Sequence, residues 1–302
     1  MPQNSHPPAI YALGNFDGVH RGHQALIAAA RQLADAQRLP LVALTFAPHP
    51  RRYFAPTLPP FLLTDDAHKA GLLRAAGADS VTAIPFTAAL AAMTAPDFAQ
   101  RILLREHNAR AIVAGEDFRF GYQRAGDMQR LAEWMQPSGV AVHAVTPVRD
   151  GQGQRYATST ARALLQTAQV RAAAAILGRP WSVCGAVIHG DARGRKIGFP
   201  TANIALGDYL RPLYGVYAVR GRRLGGADWV SGVANIGLRP TVDGAGEALE
   251  VHFFDFNAEI YNQVWEIAFI DFIRPEQRFP AIEHLVAAIR QDAAAARRIL
   301  AA

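Results

Sequence analysis

Residues 10–23 read Ile10-Tyr11-Ala12-Leu13-Gly14-Asn15-Phe16-Asp17-Gly18-Val19-His20-Arg21-Gly22-His23. A short apolar run feeds a glycine-rich turn. The turn then delivers two histidines into the start of a helix that continues Gln24-Ala25-Leu26-Ile27. Strand, turn and helix in that order open an α/β unit built on a parallel sheet. Gly14, Gly18 and Gly22 let the backbone turn tightly and approach a ligand. The helix start behind them offers unpaired N–H groups and a positive dipole end, which suits a phosphate. His20 and His23 can then donate hydrogen bonds to a phosphate under attack. One glycine turn is weak evidence by itself, and two nearby histidines are more often surface residues or a chance metal pair than a catalytic couple. No Cys, Asp or Glu cluster beside them has ligand spacing, so a metal pair is disfavoured.

Outward from that stretch, the 302 residues are enough for two cores, and with 50% hydrophobic and 19% charged residues the chain is globular. No apolar run is long enough to span a bilayer, and the first ten residues lack the pattern of a signal peptide. The single Cys184 lies in an apolar run and fits a reducing compartment. A cytoplasmic protein without a membrane partner is expected. The net charge of +6 suits an anionic partner. The arginines are scattered, not massed with aromatics, so phosphate-bearing small molecules fit at least as well as nucleic acid.

Up to about residue 180, apolar strands (10–13, 39–46, 80–84, 109–114, 140–145) alternate with helical patterns at 23–37, 65–76, 95–107, 126–136 and 160–177. This predicts a Rossmann-like parallel sheet whose ligands sit at the strands' carboxyl ends. From 181 the rhythm changes to short strands at 182–188, 215–220, 229–235, 248–255 and 264–273, then one helix at 281–300. That predicts a small antiparallel β-barrel with a C-terminal helix, joined near Gly178-Arg179-Pro180. The domains expected are 1–180 and 181–302.

Three further segments of the first half carry chemistry. Thr45 to Pro50 (TFAPHP, with His49) leaves a strand at the sheet's carboxyl edge, where its prolines end the ladder. Gly115 to Gly121 (GEDFRFG) sets Asp117 and Arg119 among aromatics that can flank a flat ring, or simply forms a charge-stabilised loop. Thr158-Ser159-Thr160-Ala161-Arg162 opens a helix, either as a plain cap or as a phosphate clamp. Together with GNFDGVHRGH these segments resemble, in order, the nucleotidyltransferase module of bacterial FAD synthetases. The resemblance implies that His20 and His23 stabilise the transition state at the ATP α-phosphate. Gly14, Asn15, Phe16, Asp17, Gly18 and Gly22 would shape the ATP site. Ser159, Thr160 and Arg162 would hold pyrophosphate, while His49, Asp117 and Arg119 would lie near the flavin or adenine. Thr158 stands where Ser is more usual, and Phe61 to Thr64 where Arg-Leu-Thr is expected.

In the second half, Gly190-Asp191-Ala192-Arg193-Gly194-Arg195-Lys196-Ile197-Gly198-Phe199-Pro200-Thr201-Ala202-Asn203 is rich in glycine and cation. Such a loop can wrap phosphates, or be a long basic hairpin turn. Neither a Walker A sequence nor GxGxxG is present. With Gly237 to Thr241 and Leu249-Glu250-Val251-His252 it resembles the riboflavin kinase fingerprint. Glu250 alternates with Leu249 and Val251, so its carboxylate faces away from their apolar side. The resemblance makes it the general base. It places Thr201 and Asn203 at Mg²⁺ and ATP, and Gly190, Arg193, Gly194, Arg195 and Gly198 around phosphate. Asn235 and Arg239 would line the flavin site. Over 10–295 the chain resembles a bifunctional riboflavin kinase/FAD synthetase. Such a protein uses Mg²⁺ and ATP and converts riboflavin to FMN and FMN to FAD, with flavins as substrates and products. A monomer or weak homo-oligomer is expected. A pantetheine-phosphate-type nucleotidyltransferase would leave 182–275 unexplained, a kinase with a silent first half would not need His20, His23 and Arg162, and a nucleic-acid binder would account only for the charge.

Overall fold

The computed structural model describes residues 6–189, 198–241 and 244–302, with the backbone alone at 239–241, 244–246 and 248. The chain divides into two compact units: residues up to Leu58 together with Asp66–Ala157, and Pro59–Asp65 together with Thr158–Ala302.

The first unit is a parallel sheet of β1 (Ala9–Leu13), β2 (Leu41–Ala47), β3 (Ser80–Pro85), β4 (Ala109–Gly115) and β5 (Ala141–Val145), in the order β3-β2-β1-β4-β5. Strand β1 is buried along its whole length, because a parallel sheet is covered on both faces. Its residues are shared between two cores by strict alternation. Ala9, Tyr11 and Leu13 join Val42, Leu44 and Phe46 on one face. Ile10 and Ala12 join Leu41 and Ala43 on the other, under α1 (Arg21–Gln37), whose Leu26, Ile27, Ala30 and Ala34 form its buried stripe. Helices α2 (Asp66–Ala75), α3 (Phe98–Glu106) and α4 (Met128–Met135) complete the cover, α3 being a wide π-type helix. The strand order reverses direction between β1 and β4, so the loops after these two strands flank the crevice where ligands of such sheets bind.

The second unit is a closed antiparallel barrel of β6 (Trp181–Ile188), β7 (Ala202–Ile204), β8 (Gly215–Arg223), β9 (Val230–Thr241), β10 (Gly244–Phe253) and β11 (Val264–Pro275), in the order β10-β7-β6-β11-β8-β9. The sequence pattern misses β7, since three residues are too few to show a period. The helix expected over 160–177 is two, α5 (Thr158–Gln166) and α6 (Val170–Leu177), broken where Ala168 turns at φ 59°. Helix α7 (Ile282–Ala301) closes the unit, with Ala296 and Leu300 packed on Val216, Ala218 and Val233. Its Asp292 takes two bonds from Arg274, at 2.9 and 2.7 Å.

The join expected at residue 180 and the division of the compact units do not coincide. Helices α5 and α6 group with the barrel, as does the strap Pro59–Asp65. Trp181 Nε1 donates to the Leu63 carbonyl (3.0 Å), Leu210 N to the Leu62 carbonyl (2.7 Å) and the Tyr209 hydroxyl to Asp65 (2.9 Å). Trp181 is fully buried there. Bonds across more than a hundred residues of chain leave no trace in local periodicity.

Candidate active sites

In the first unit the chain leaves β1 through a loop held in sparsely populated backbone conformations: Phe16 at φ 52°, Gly18 at 78° and Val19 at 41°. A β-branched residue rarely adopts a positive φ, and such strain costs roughly 1–3 kcal/mol per residue. It persists because the loop is packed shut, with Phe16 and Val19 buried and Asp17 only 3% exposed. The Gly14 amide donates to Leu44 and the Thr45 hydroxyl to the Asn15 carbonyl, so the start of the turn is tied to β2.

His20 caps α1: its Nδ1 accepts the His23 N–H at 3.3 Å. Nδ1 therefore offers its lone pair, and the neutral ring carries its proton on Nε2. The rings of His20 and His23 stack with centroids 3.6 Å apart, and Phe16 meets His23 edge-on at 5.3 Å. Gly22 leaves room for this stack: a Cβ there would lie 3.0 Å from the His20 ring, which would have to shift by a few tenths of an ångström. Burial first, then His20 and Arg155, hold the His23 imidazole well below the ordinary histidine range, so it is neutral near pH 7. Its Nδ1 is buried and has no hydrogen-bond partner among the described residues. A buried polar atom without a partner at a helix N-terminus is suited to a ligand.

Across the crevice, after β4, Asp117 and Arg119 do not pair with each other. Asp117 binds Arg155 at 2.6 Å and Arg119 binds Asp127 at 3.0 Å, while Phe118 and Phe120 stack at 5.7 Å. His49 caps the short helix Pro50–Phe54, its Nδ1 accepting from Arg51 N at 3.1 Å. Sequence reasoning missed two features here. Arg155 acts electrostatically on His23, and the only hint was its place just ahead of the Thr158–Arg162 segment. Phe54 is 68% exposed beside Tyr53 and Phe86, an open aromatic surface announced by the Tyr-Phe pair that follows the prolines.

In the second unit Ser159 is exposed on α5, Thr160 half-buried and Arg162 half-buried. The Arg162 Nε donates to the Phe61 carbonyl at 2.9 Å, with the guanidinium 5.2 Å from the Phe61 ring centre.

The barrel builds its site by register. Glu250 on β10 stands opposite Asn203 on β7 and Asn235 on β9. Directly opposed residues share a face, so one carboxylate and two amides line up across three strands. Leu249 and Val251 are fully buried on the other face, as the alternation predicts. On the Val251 face of β10, opposite to this row, a cavity of about 560 Å³ opens between Thr201, Val251, Phe253, Phe256, Ile260 and Tyr261. Its walls mix apolar side chains with polar groups, Asn257 and Glu259 among them, and it is open to solvent on one side. Gly198 turns at φ 83° just ahead of it. Arg239 stands opposite Gly246 by its backbone, and Gly190, Arg193, Gly194 and Arg195 lie outside the described residues. Thr201, Asn203 and Glu250 offer hydroxyl, amide and carboxylate oxygens. That donor set fits Mg²⁺, which takes few protein ligands and keeps water and phosphate. Among the described residues no group of three or more His, Cys, Asp and Glu could hold a metal ion, and no helix is long and apolar enough to cross a membrane.

Comparison with known proteins gives a consistent pattern. A family model for FAD synthetase matches residues 2–160, and one for riboflavin kinase matches residues 177–300. A bifunctional riboflavin kinase/FMN adenylyltransferase from Pseudomonas fluorescens is 39% identical over 297 residues, 98% of this chain and 94% of that protein. The proteins of the same description from Escherichia coli K12 and Bacillus subtilis 168 are 37% and 35% identical, over 95% and 94% of this chain and 91% and 90% of theirs. A solved structure from Streptococcus pneumoniae, described as a macrolide-efflux protein, is similar with a TM-score of 0.82 at 31% identity, covering 97% of this chain and 93% of that one.

Proposed function

The chain belongs to the bifunctional riboflavin kinase/FMN adenylyltransferase family, and from that premise we propose how its two sites divide the work. The observation that carries the reading is the occurrence of two unlike sites in one chain: a histidine pair at a helix N-terminus, and a strand carboxylate flanked by two amides on the neighbouring strands.

In the barrel the riboflavin 5′-hydroxyl oxygen attacks the γ-phosphorus of ATP, the bond to ADP breaks, and Glu250 takes the hydroxyl proton. Mg²⁺, held by Thr201 and Asn203, would supply neutralisation of phosphate charge when bound. Gly190, Arg193, Gly194, Arg195 and Gly198 wrap the phosphates, and Asn235 and Arg239 line the flavin. In the first unit the terminal phosphate oxygen of FMN attacks the α-phosphorus of a second ATP, and pyrophosphate leaves. The neutral His23 and the Nε2–H of His20 act as donors to the charge that develops, which is electrostatic stabilisation without a covalent intermediate. Gly14, Asn15, Phe16, Asp17, Gly18 and Gly22 shape the ATP pocket, with Arg155 added to it. For pyrophosphate the family resemblance offers Ser159, Thr160 and Arg162, on α5. His49, Asp117 and Arg119 border the flavin, and the exposed Phe54 offers it a face to stack on. The activities are assigned to residues 1–180 and 181–302, in a cytoplasmic monomer or weak homo-oligomer.

The test is chromatography of riboflavin, FMN and FAD after incubating the purified chain with riboflavin, ATP and Mg²⁺. FMN followed by FAD is expected. FMN alone would reduce the protein to a kinase, and neither product would overturn the reading.

A further inference from the structure

The pairing of β7 with β10 ends at Ala202 opposite Val251. One residue further along β10, His252 continues it with a side chain: its Nδ1 lies 2.8 Å from the Pro200 carbonyl. A carbonyl only accepts, so Nδ1 carries the proton and donates. Proline has no N–H of its own, which leaves its carbonyl as the backbone group available for bonding at that point. The ring is held from two sides, by Phe199 at 5.4 Å and Phe254 at 5.9 Å between centroids, both edge-on. Thr201 thus sits between two fixed points, Pro200 bound by a ring and Ala202 bound by a strand, and it lines the cavity.

We infer that His252 is a positioning residue of the barrel site: by holding the Pro200 carbonyl it sets Thr201 against the cavity, where the triphosphate and its cation are bound. The inference rests on the assignment of this face to the kinase reaction. His252 stands two residues from Glu250 on one strand, so both lie on the face opposite to Val251 and Phe253, and the clamp reaches the cavity edge through the Pro200 backbone. Its effect falls on binding of the nucleotide, and riboflavin and the histidine-pair site are left unchanged.

The test uses the full chain and two readouts. In His252→Ala the KM for ATP and the half-saturating Mg²⁺ concentration of riboflavin phosphorylation should each rise by about tenfold, the size of one lost hydrogen bond. The KM for riboflavin and the adenylylation of supplied FMN should not move. Hydrogen exchange of peptides covering 198–206, measured without ligand, should quicken. His252→Asn places an amide N–H where Nδ1 was and should restore both readouts; His252→Gln, whose amide falls at the Nε2 position, should restore neither. Unchanged KM and exchange in His252→Ala would overturn the inference, and so would equal behaviour of the Asn and Gln variants. Thr201→Ala separates the two failures. If it raises the KM for ATP and His252→Ala does not, the clamp is wrong. If Thr201→Ala itself leaves that KM unmoved, the assignment of Thr201 falls, and exchange rates still decide whether His252 holds the segment.

Discussion

On the proposed assignment, the loop after β1 and the face of β10 solve one problem, presenting polar groups to a phosphate, by opposite means. The loop does it with backbone conformation: positive φ at Phe16 and Val19, a helix N-terminus, and two rings stacked over a glycine. The barrel does it with register: Glu250, Asn203 and Asn235 fall in line because three strands pair as they do, in ordinary extended backbone. A site made by conformation is sensitive to changes that bear no functional group. A site made by register is sensitive chiefly to the functional groups themselves.

The largest effect should come from Glu250→Ala. Loss of a general base lowers the rate by about 10²–10⁴, so FMN formation should all but stop while supplied FMN is still adenylylated. His23→Ala should do the reverse, with FAD formation falling about 10²–10³, as for loss of one transition-state donor. Loss of both activities in either variant would break the comparison, because the sites would then not be independent. Gly22→Ala sharpens it. The added methyl meets the His20 ring at 3.0 Å, so adenylylation should drop about tenfold, the cost of displacing a catalytic group slightly, with kinase activity unchanged. Kinetics of the two half-reactions on the purified variant check this, and a wild-type rate would mean that the stack is not the working geometry.

The smallest effect concerns pH. His23 is held low by burial, His20 and Arg155, and His107 by burial and His6 against an opposing Glu106. Unfolded, each ring takes up a proton near its ordinary pKa of 6.5; folded, each does so only at lower pH. In that interval the unfolded chain binds more protons, so stability is whole above pH 6.5 and falls as pH drops toward the folded values. Tm should decline between pH 7 and pH 5, and His107→Leu, which removes one of the two groups, should flatten the decline. An unchanged slope would show that His107 is not held neutral.

Much of this was legible in residue order. Tyr11 and Leu13 alternate with Ile10 and Ala12 because both faces of β1 are covered, and a fully apolar run announces that. Glu250 between Leu249 and Val251 announces a polar face on a strand. The arrival of two histidines at the helix start was legible from their spacing around Gly22, whereas the stacking of their rings was not. By contrast, the pairing of Asp117 with Arg155, and not with its neighbour Arg119, has no local signature. Nor has β7, whose three residues form a strand only because β10 and β6 lie on either side.

By itself, the order of residues determined that there are two halves of different rhythm and where most of the strands and helices of each lie. These follow from period, propensity and turn chemistry, which act over a few residues. The tertiary structure alone decided that Pro59–Asp65 groups with the barrel, that Glu250 faces Asn203 and Asn235, and that His252 binds Pro200. Each is a pairing between residues distant in the chain. Such a pairing forms only when burial of apolar surface elsewhere offsets the entropy of bringing the segments together.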